Sequence, residues 1–168
     1  DSLSIIGSSL ESHGIELGRE VQTASMVLTY PNELKQVVLN ILKNAQDIFV
    51  EKRIETPKIM MHIQQFEEMV ELSIHDNAGG VKPEHLKQIF DPYFTTKAKG
   101  EGTGMGLSVV HGIVKSHGGY ITVASESNQG STFHIYWPAF DQSSLTMETT
   151  FAKSLPGGNE NILLVDDE

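Results

Sequence analysis

An α/β two-layer sandwich, with helices on one face of a mixed, mainly antiparallel sheet, is the fold class this sequence predicts. Three observations point to it. Residues 32–51 carry apolar side chains at helical spacing, the runs "PKIMMHIQQF" and "MVELSIHD" read as strands, and "YITVASE" with "STFHIYWPA" reads as a closing antiparallel pair. Helix, strands, short helix, helix and strands, in that order, indicate helices laid on one sheet face.

The first twenty residues hold a short amphipathic piece and then a strand around Ile15. Pro31-Asn32 offers a helix start, and Leu34, Val37, Val38, Ile41, Leu42, Ala45, Ile48 and Phe49 follow the helical repeat. The polar Glu67-Glu68 turn separates the next two strands. The second of them alternates Val70, Leu72 and Ile74 before the turn signal "DNAGG". "PEHLKQIF" predicts a short helix with Pro83 in its first turn. A glycine-rich loop then leads into a helix from about Gly104 to Lys115, stopped at Gly118-Gly119. These elements fill one domain, residues 1–140. Residues 141–159 are polar, end in Pro-Gly-Gly and read as a linker. "NILLVDDE" then begins a buried strand of a new unit, 160–168. A chain that opens without Met and stops after that run is expected to be a piece of a longer protein.

At 168 residues the chain can bury one domain plus an appendage. Its formal net charge of -10 argues against broad nucleic-acid or anionic-membrane binding, which needs a basic face. Lys97 and Lys99 are the candidates for a local basic patch. Without cysteine there is neither a disulfide framework nor a thiolate metal site, which fits a cytoplasmic setting. No apolar run approaches the roughly 20 residues that span a bilayer.

Three stretches invite a chemical reading. "KGEGTGMGLSVVHG" places Gly102, Gly104 and Gly106 at G-x-G-x-G spacing, with Thr103 and Met105 between them and Leu107 after. A Rossmann loop needs G-x-G-x-x-G after a strand and a P-loop needs G-x-x-x-x-G-K-[ST], so both are excluded. A glycine loop running into a helix start remains, where N–H groups and the helix dipole suit an anion. A flexible loop without ligand fits the same residues. On the helix at 32–51, Asn40, Asn44, Asp47 and Glu51 recur every three or four residues and form one stripe beside the apolar face. Carboxamide oxygens suit Mg²⁺ and NH₂ groups suit phosphate oxygens, while a solvated helix edge is the alternative. Asp76 sits where a strand runs out into Gly79-Gly80. A carboxylate there can accept from an exocyclic amine such as adenine's; a plain turn is the other reading.

Together and in order, Asn-x-x-x-Asn, Asp-Asn-Ala-Gly-Gly, "FDPYFTTK", "GTGMGL" and a final "GSTF" resemble the ATP-binding domain of sensor histidine kinases. That domain has the Bergerat-type fold shared with DNA gyrase B, the heat-shock chaperone ATPases and MutL. The resemblance covers roughly residues 10–138. It implies that Asn44 coordinates the Mg²⁺ bridging the triphosphate of ATP, that Asn40 supports the phosphates, and that Asp76 bonds the adenine amino group. Ala78 stands in place of the first glycine of the usual Asp-x-Gly-x-Gly, ahead of Gly80. Phe90 and Phe94 resemble the aromatic box at a lid's front edge, with Thr95, Thr96 and Lys97 entering the lid; core packing fits those rings equally. Gly102, Gly104 and Gly106 would form the lid's rear hinge, their N–H groups facing the phosphates, with Leu107 packed beneath. Thr96–Gly102 is then expected to be poorly ordered without nucleotide. Gly130, Ser131 and Thr132 resemble the last glycine box. At Asp47 and Ile48 some members place a Lys and an aromatic ring, so here another residue supplies those contacts or they are absent.

Position 40 separates two reactions. Hydrolysing members of the superfamily carry a Glu there as general base, whereas Asn40 cannot take up a proton at neutral pH. That points to phosphoryl transfer onto a side chain, with Asn40, Asn44 and Lys97 as the catalytic candidates. The family's acceptor histidine lies on a preceding dimerisation helix and is followed by an acid. Of His13, His62, His75, His85, His111, His117 and His134, only His75 precedes one, and it lies at a strand end. The acceptor is therefore expected outside these residues, leaving a monomeric piece that binds ATP and does not phosphorylate itself. "NILLVDDE" resembles the first strand of a receiver domain, with Asp166 and Asp167 in its acidic site, which implies a hybrid kinase partnered by its own dimerisation helices and a receiver. An ATP hydrolase and a non-enzymatic docking module are the alternatives.

Overall fold

The computed structural model describes residues 2–23, 25–97 and 102–140. The linker reading, the receiver-strand reading and most of the expected lid (98–101) lie outside the described residues. Chain order is α1 (Ser2–Ser12), β1 (Glu16–Val21), β2 (Met26–Val27), α2 (Pro31–Lys52), β3 (Lys58–Phe66), β4 (Met69–Asp76), α3 (Gly106–Ser116), β5 (Tyr120–Glu126) and β6 (Gly130–Phe140). The sheet runs β1-β3-β4-β6-β2, with β5 also paired to β6. Among the described residues only β1 and β3 pair in parallel, so the sheet is mixed and mainly antiparallel.

Strand alternation decides which face is apolar. Leu72 and Ile74 of β4, and Phe133, Ile135 and Trp137 of β6, are buried against the helices, and Val70 is buried on the same face of β4. From the helical side α2 contributes Val37, Val38, Ile41, Leu42, Ala45 and Phe49, α3 contributes Val110 and Val114, and α1 contributes Leu10. Each aliphatic side chain taken fully out of water contributes about 1.5–3 kcal/mol. Pro31 fills the first turn of α2, and Arg53, with φ 50°, ends it by donating its N–H to the Phe49 carbonyl. α3 stops as its glycines predict: Gly119 donates its N–H to the Val114 carbonyl at 3.0 Å. Among the described residues no helix is long and apolar enough to cross a membrane.

Two elements differ from the sequence expectation. Residues 83–90 form successive turns instead of a helix. His85, Gln88 and Asp91 donate their N–H groups three residues back, to Lys82, His85 and Gln88, at 2.8–2.9 Å. Eight residues begun by a proline are too few to offset helix nucleation, so the buried anchor Ile89 sets the path. β2 was missed altogether.

The sheet face turned away from the helices is polar and internally satisfied. Glu71, only 5% exposed, accepts from Gln64 Nε2 (2.5 Å), His134 Nδ1 (2.7 Å) and Tyr136 Oη (3.0 Å). Burial pushes its carboxyl up, but the hydrogen bonds from Gln64, His134 and Tyr136 outweigh burial and hold it below the usual range. Burial and then Glu71 push the Tyr136 phenol up to about 12. Its ring stacks on Tyr120, centroids 4.5 Å apart.

Candidate functional site

Between α2, the 81–97 segment, the start of α3 and the start of β6 lies a cavity of about 360 Å³. The helical stripe forms one wall, because Asn40, Asn44, Asp47 and Glu51 all line it. Asp76 closes its depth at the end of β4, 5% exposed, its Oδ1 accepting the Ala78 N–H at 2.8 Å. Burial pushes the Asp76 carboxyl up, against the opposing pull of the Ala78 N–H, His75 and the Ser131 backbone. Ile48, Val81, Ile89, Leu107 and Phe133 give the same cavity an apolar lining.

The loop after Asp76 is stitched to its neighbours. Asn77 Oδ1 accepts the Lys58 N–H (2.8 Å), and its Nδ2 donates to the Thr56 carbonyl (2.9 Å). Gly80, with φ 70°, lies so close to the Glu126 carbonyl that any Cβ would run into it. Val81 N–H donates to Ser125 Oγ (2.7 Å), which in turn donates to the Gly130 carbonyl (2.9 Å). The glycine run is fixed at its far end in the same way. Gly104, with φ 65°, accepts the Tyr93 N–H at 3.0 Å, and a Cβ would strike the Tyr93 backbone.

Two lysines reach the rim. Asp47 Oδ2 pairs with Lys97 Nζ at 2.5 Å and its Oδ1 with Lys43 Nζ at 2.9 Å. Burial pushes the Asp47 carboxyl up, but Lys97 and then Lys43 outweigh it and hold the group below the usual carboxylate range.

Of the sequence-derived candidates, Asn40, Asn44, Asp47, Asp76, Thr95, Thr96, Lys97, Gly102, Thr103, Gly104, Gly106, Leu107 and Ser131 line the cavity. Ala78, Gly80, Phe90, Met105 and Thr132 do not. Ala78 is fully buried in the core, so its methyl fills space behind the wall. Phe90 packs on His111 of α3, centroids 5.6 Å apart, and it is Phe94, edge-on to His85 at 5.5 Å, that reaches the cavity. Met105 is 37% exposed at the start of α3. Thr132 points to the opposite face, where its Oγ1 lies 2.9 Å from His75 Nδ1, because alternation along β6 turns Ser131 and Phe133 inward. Sequence reading missed Lys43, His85, Val81, Ile89 and Phe133 as lining residues. Lys43 carried one usable signal, a position four residues before Asp47.

Asn44 presents a carboxamide oxygen, a group of the kind that ligates Mg²⁺, to the cavity. Its amide lies across from Gly106, 3.9 Å from where a Cβ would stand, so α3 begins facing it. Among the described residues no group of three His, Cys, Asp or Glu could hold a metal. One carboxamide oxygen fits an ion that brings water and substrate oxygens with it.

Residues 29–141 match the family described as histidine kinase-, DNA gyrase B-, and HSP90-like ATPase. The two-component sensor PprA of Pseudomonas aeruginosa is 37% identical over 82% of this chain, and the sensor histidine kinase ZraS of Escherichia coli is 38% identical over 82%. The chain spans only 15% and 28% of their lengths. The solved mycobacterial sensor histidine kinase MprB superposes with a TM-score of 0.70 at 26% identity, over 82% of this chain and 89% of that one.

Proposed function

The chain belongs to the family of histidine kinase-, DNA gyrase B- and HSP90-like ATPases, and on that footing we propose that it is the ATP-binding catalytic domain of a sensor histidine kinase. The convergence of Asn40, Asn44, Asp76 and the glycine run on one cavity is the observation that carries the reading. Its relatives named as sensor kinases support it.

In this reading the adenine ring of ATP enters the apolar depth beside Ile89 and Phe133 and donates its exocyclic amine to Asp76. The phosphates run outward past Asn40, whose NH₂ donates to them, toward the Lys97 ammonium and the N-terminus of α3. Mg²⁺ held by Asn44, when bound, neutralises charge on the transferring phosphoryl group. Asn40 offers no site for a proton, so the chain's own residues position the nucleotide and leave the acceptor to another group. That acceptor is a histidine on the parent's dimerisation helices, and a receiver or response regulator takes the phosphoryl group next.

Calorimetry with a non-hydrolysable ATP analogue, with and without Mg²⁺, tests the binding. Adding a separately produced dimerisation-helix domain and radiolabelled ATP tests the transfer. Saturable binding and label on the helix domain are expected. No binding overturns the reading, and steady-state phosphate release from this chain alone would favour hydrolysis.

A further inference from the structure

We propose that Lys43 and Lys97, gathered by Asp47, form a two-ammonium clamp for the phosphate chain, with Asp47 as its positioning residue. The inference rests on the nucleotide reading and deepens it: it names the groups that supply positive charge where the helix itself presents a carboxylate.

Charge at the cavity is the starting point. Among the described residues its lining carries three carboxylates, Asp47, Glu51 and Asp76, and the ammonium groups of only two side chains, Lys43 and Lys97. Those two ammonium groups are the positive side-chain charge that the described lining can offer a polyphosphate. They come from different parts of the fold, Lys43 from α2 and Lys97 from the segment beyond Phe94. Two ammonium groups drawn together repel, and each needs a reason to stay. Asp47 supplies it by engaging one with each oxygen, at 2.9 Å and 2.5 Å. Its depressed carboxyl agrees with a group that remains charged.

Donor accounting leaves the pair competent to bind more. Each ammonium has three N–H donors, and the pairing with Asp47 uses one of them. Among the described residues neither lysine has a second carboxylate partner. Lys97 is the more enclosed, 24% exposed against 59% for Lys43, so it is the firmer half. Asp47 itself gains nothing by touching phosphate. Its part is to present the two lysines.

Calorimetry of the chain with adenosine and with a non-hydrolysable ATP analogue, at low and moderate salt, tests this on Lys43→Gln, Lys97→Gln, Asp47→Asn and Asp47→Glu. Both lysine variants should bind the analogue about 3- to 10-fold more weakly, with a shallower salt dependence and unchanged affinity for adenosine. Asp47→Asn discriminates. Simple electrostatics predicts tighter binding once a carboxylate leaves the site, whereas positioning predicts weaker binding, partly rescued by Asp47→Glu. Analogue binding by Asp47→Asn equal to or tighter than that of the unaltered chain overturns the proposal, as does Lys43→Gln behaving like the unaltered chain. A parallel loss of adenosine affinity would reduce Asp47 to a structural role and also overturn it. If the unaltered chain binds neither ligand, the nucleotide reading itself fails and the clamp falls with it.

Discussion

Replacing Asp76 by Asn changes one oxygen for an NH₂ in a side chain of nearly the same shape. The residue is 5% exposed, and its Oδ1 accepts the Ala78 N–H at 2.8 Å, a bond the amide oxygen can keep. The fold should therefore survive, at a cost of about 1–3 kcal/mol where the new NH₂ faces the Ser131 backbone donor. The pH dependence should not. The folded carboxyl is raised above its ordinary 3.8 by burial, so its stabilising contribution is complete below that value and is lost as pH rises through the folded one. The Asn variant should lack that decline, and the difference from the unaltered chain should change across the acidic range. Binding should suffer more. A carboxylate that accepts from the adenine amine becomes, at one atom, a donor facing a donor. Losing a hydrogen bond to a charged group costs about 1.5–3 kcal/mol, or roughly 10- to 150-fold in affinity. Calorimetry with an ATP analogue and thermal unfolding from pH 3 to 8 read the two effects separately. Unchanged affinity in a folded variant would refute the role assigned to Asp76. A severe loss of stability at neutral pH would refute the hydrogen-bond argument.

Three further outcomes follow from the same geometry. Asn44→Ala should abolish the gain in analogue affinity that Mg²⁺ confers, compared against EDTA in the same titration; a persisting gain would move the metal elsewhere. Gly104→Ala, at φ 65° and against the Tyr93 backbone, should cost about 1–3 kcal/mol in urea unfolding. Gly7→Ala, in open space on α1, should be neutral or gain up to about 1 kcal/mol, and equal effects at both sites would contradict the steric account. On the outer sheet face, Glu71 is depressed from 4.5, so its contribution is present above that value and lost as pH falls through the folded one. Tyr136 is raised from 10.0 to about 12, so its contribution is present below 10 and is lost between 10 and 12. Glu71→Gln should flatten the acid arm of the stability profile and Tyr136→Phe the alkaline arm, and an unaltered profile in either would refute the assignment.

How much of this was legible in the residues depends on how local the determinant is. α2 was readable because its apolar spacing and Pro31 are contained in one segment, and the asparagine stripe came with it. β4 was readable to its last residue, since alternation and the glycine turn mark Asp76. β2 was not, because two residues gain strand geometry only from Ala139 and Phe140. The 83–90 turns depend on where Ile89 must be buried, a tertiary fact that overrides a helical start signal. Thr132 was misplaced for a different reason: "GSTF" names the residues without their facing. Its register opposite His75 and beside Asp76↔Ser131 fixes which side chains look into the cavity.

β6 has a temporal meaning as well as a spatial one. It is the last strand of the described chain, yet it pairs with β4, β5 and β2, so three strands made earlier wait for it. A nascent chain that stops short of Gly130 has Asp76 without its ladder partner Ser131 and a cavity lacking the Phe133 wall. Nucleotide thus finds no complete receptor until synthesis has passed β6, and this domain must reach that point with β4, β5 and β2 still lacking the strand that joins them. A released chain ending near residue 128 should be protease-sensitive, and one that extends through Phe140 should be resistant.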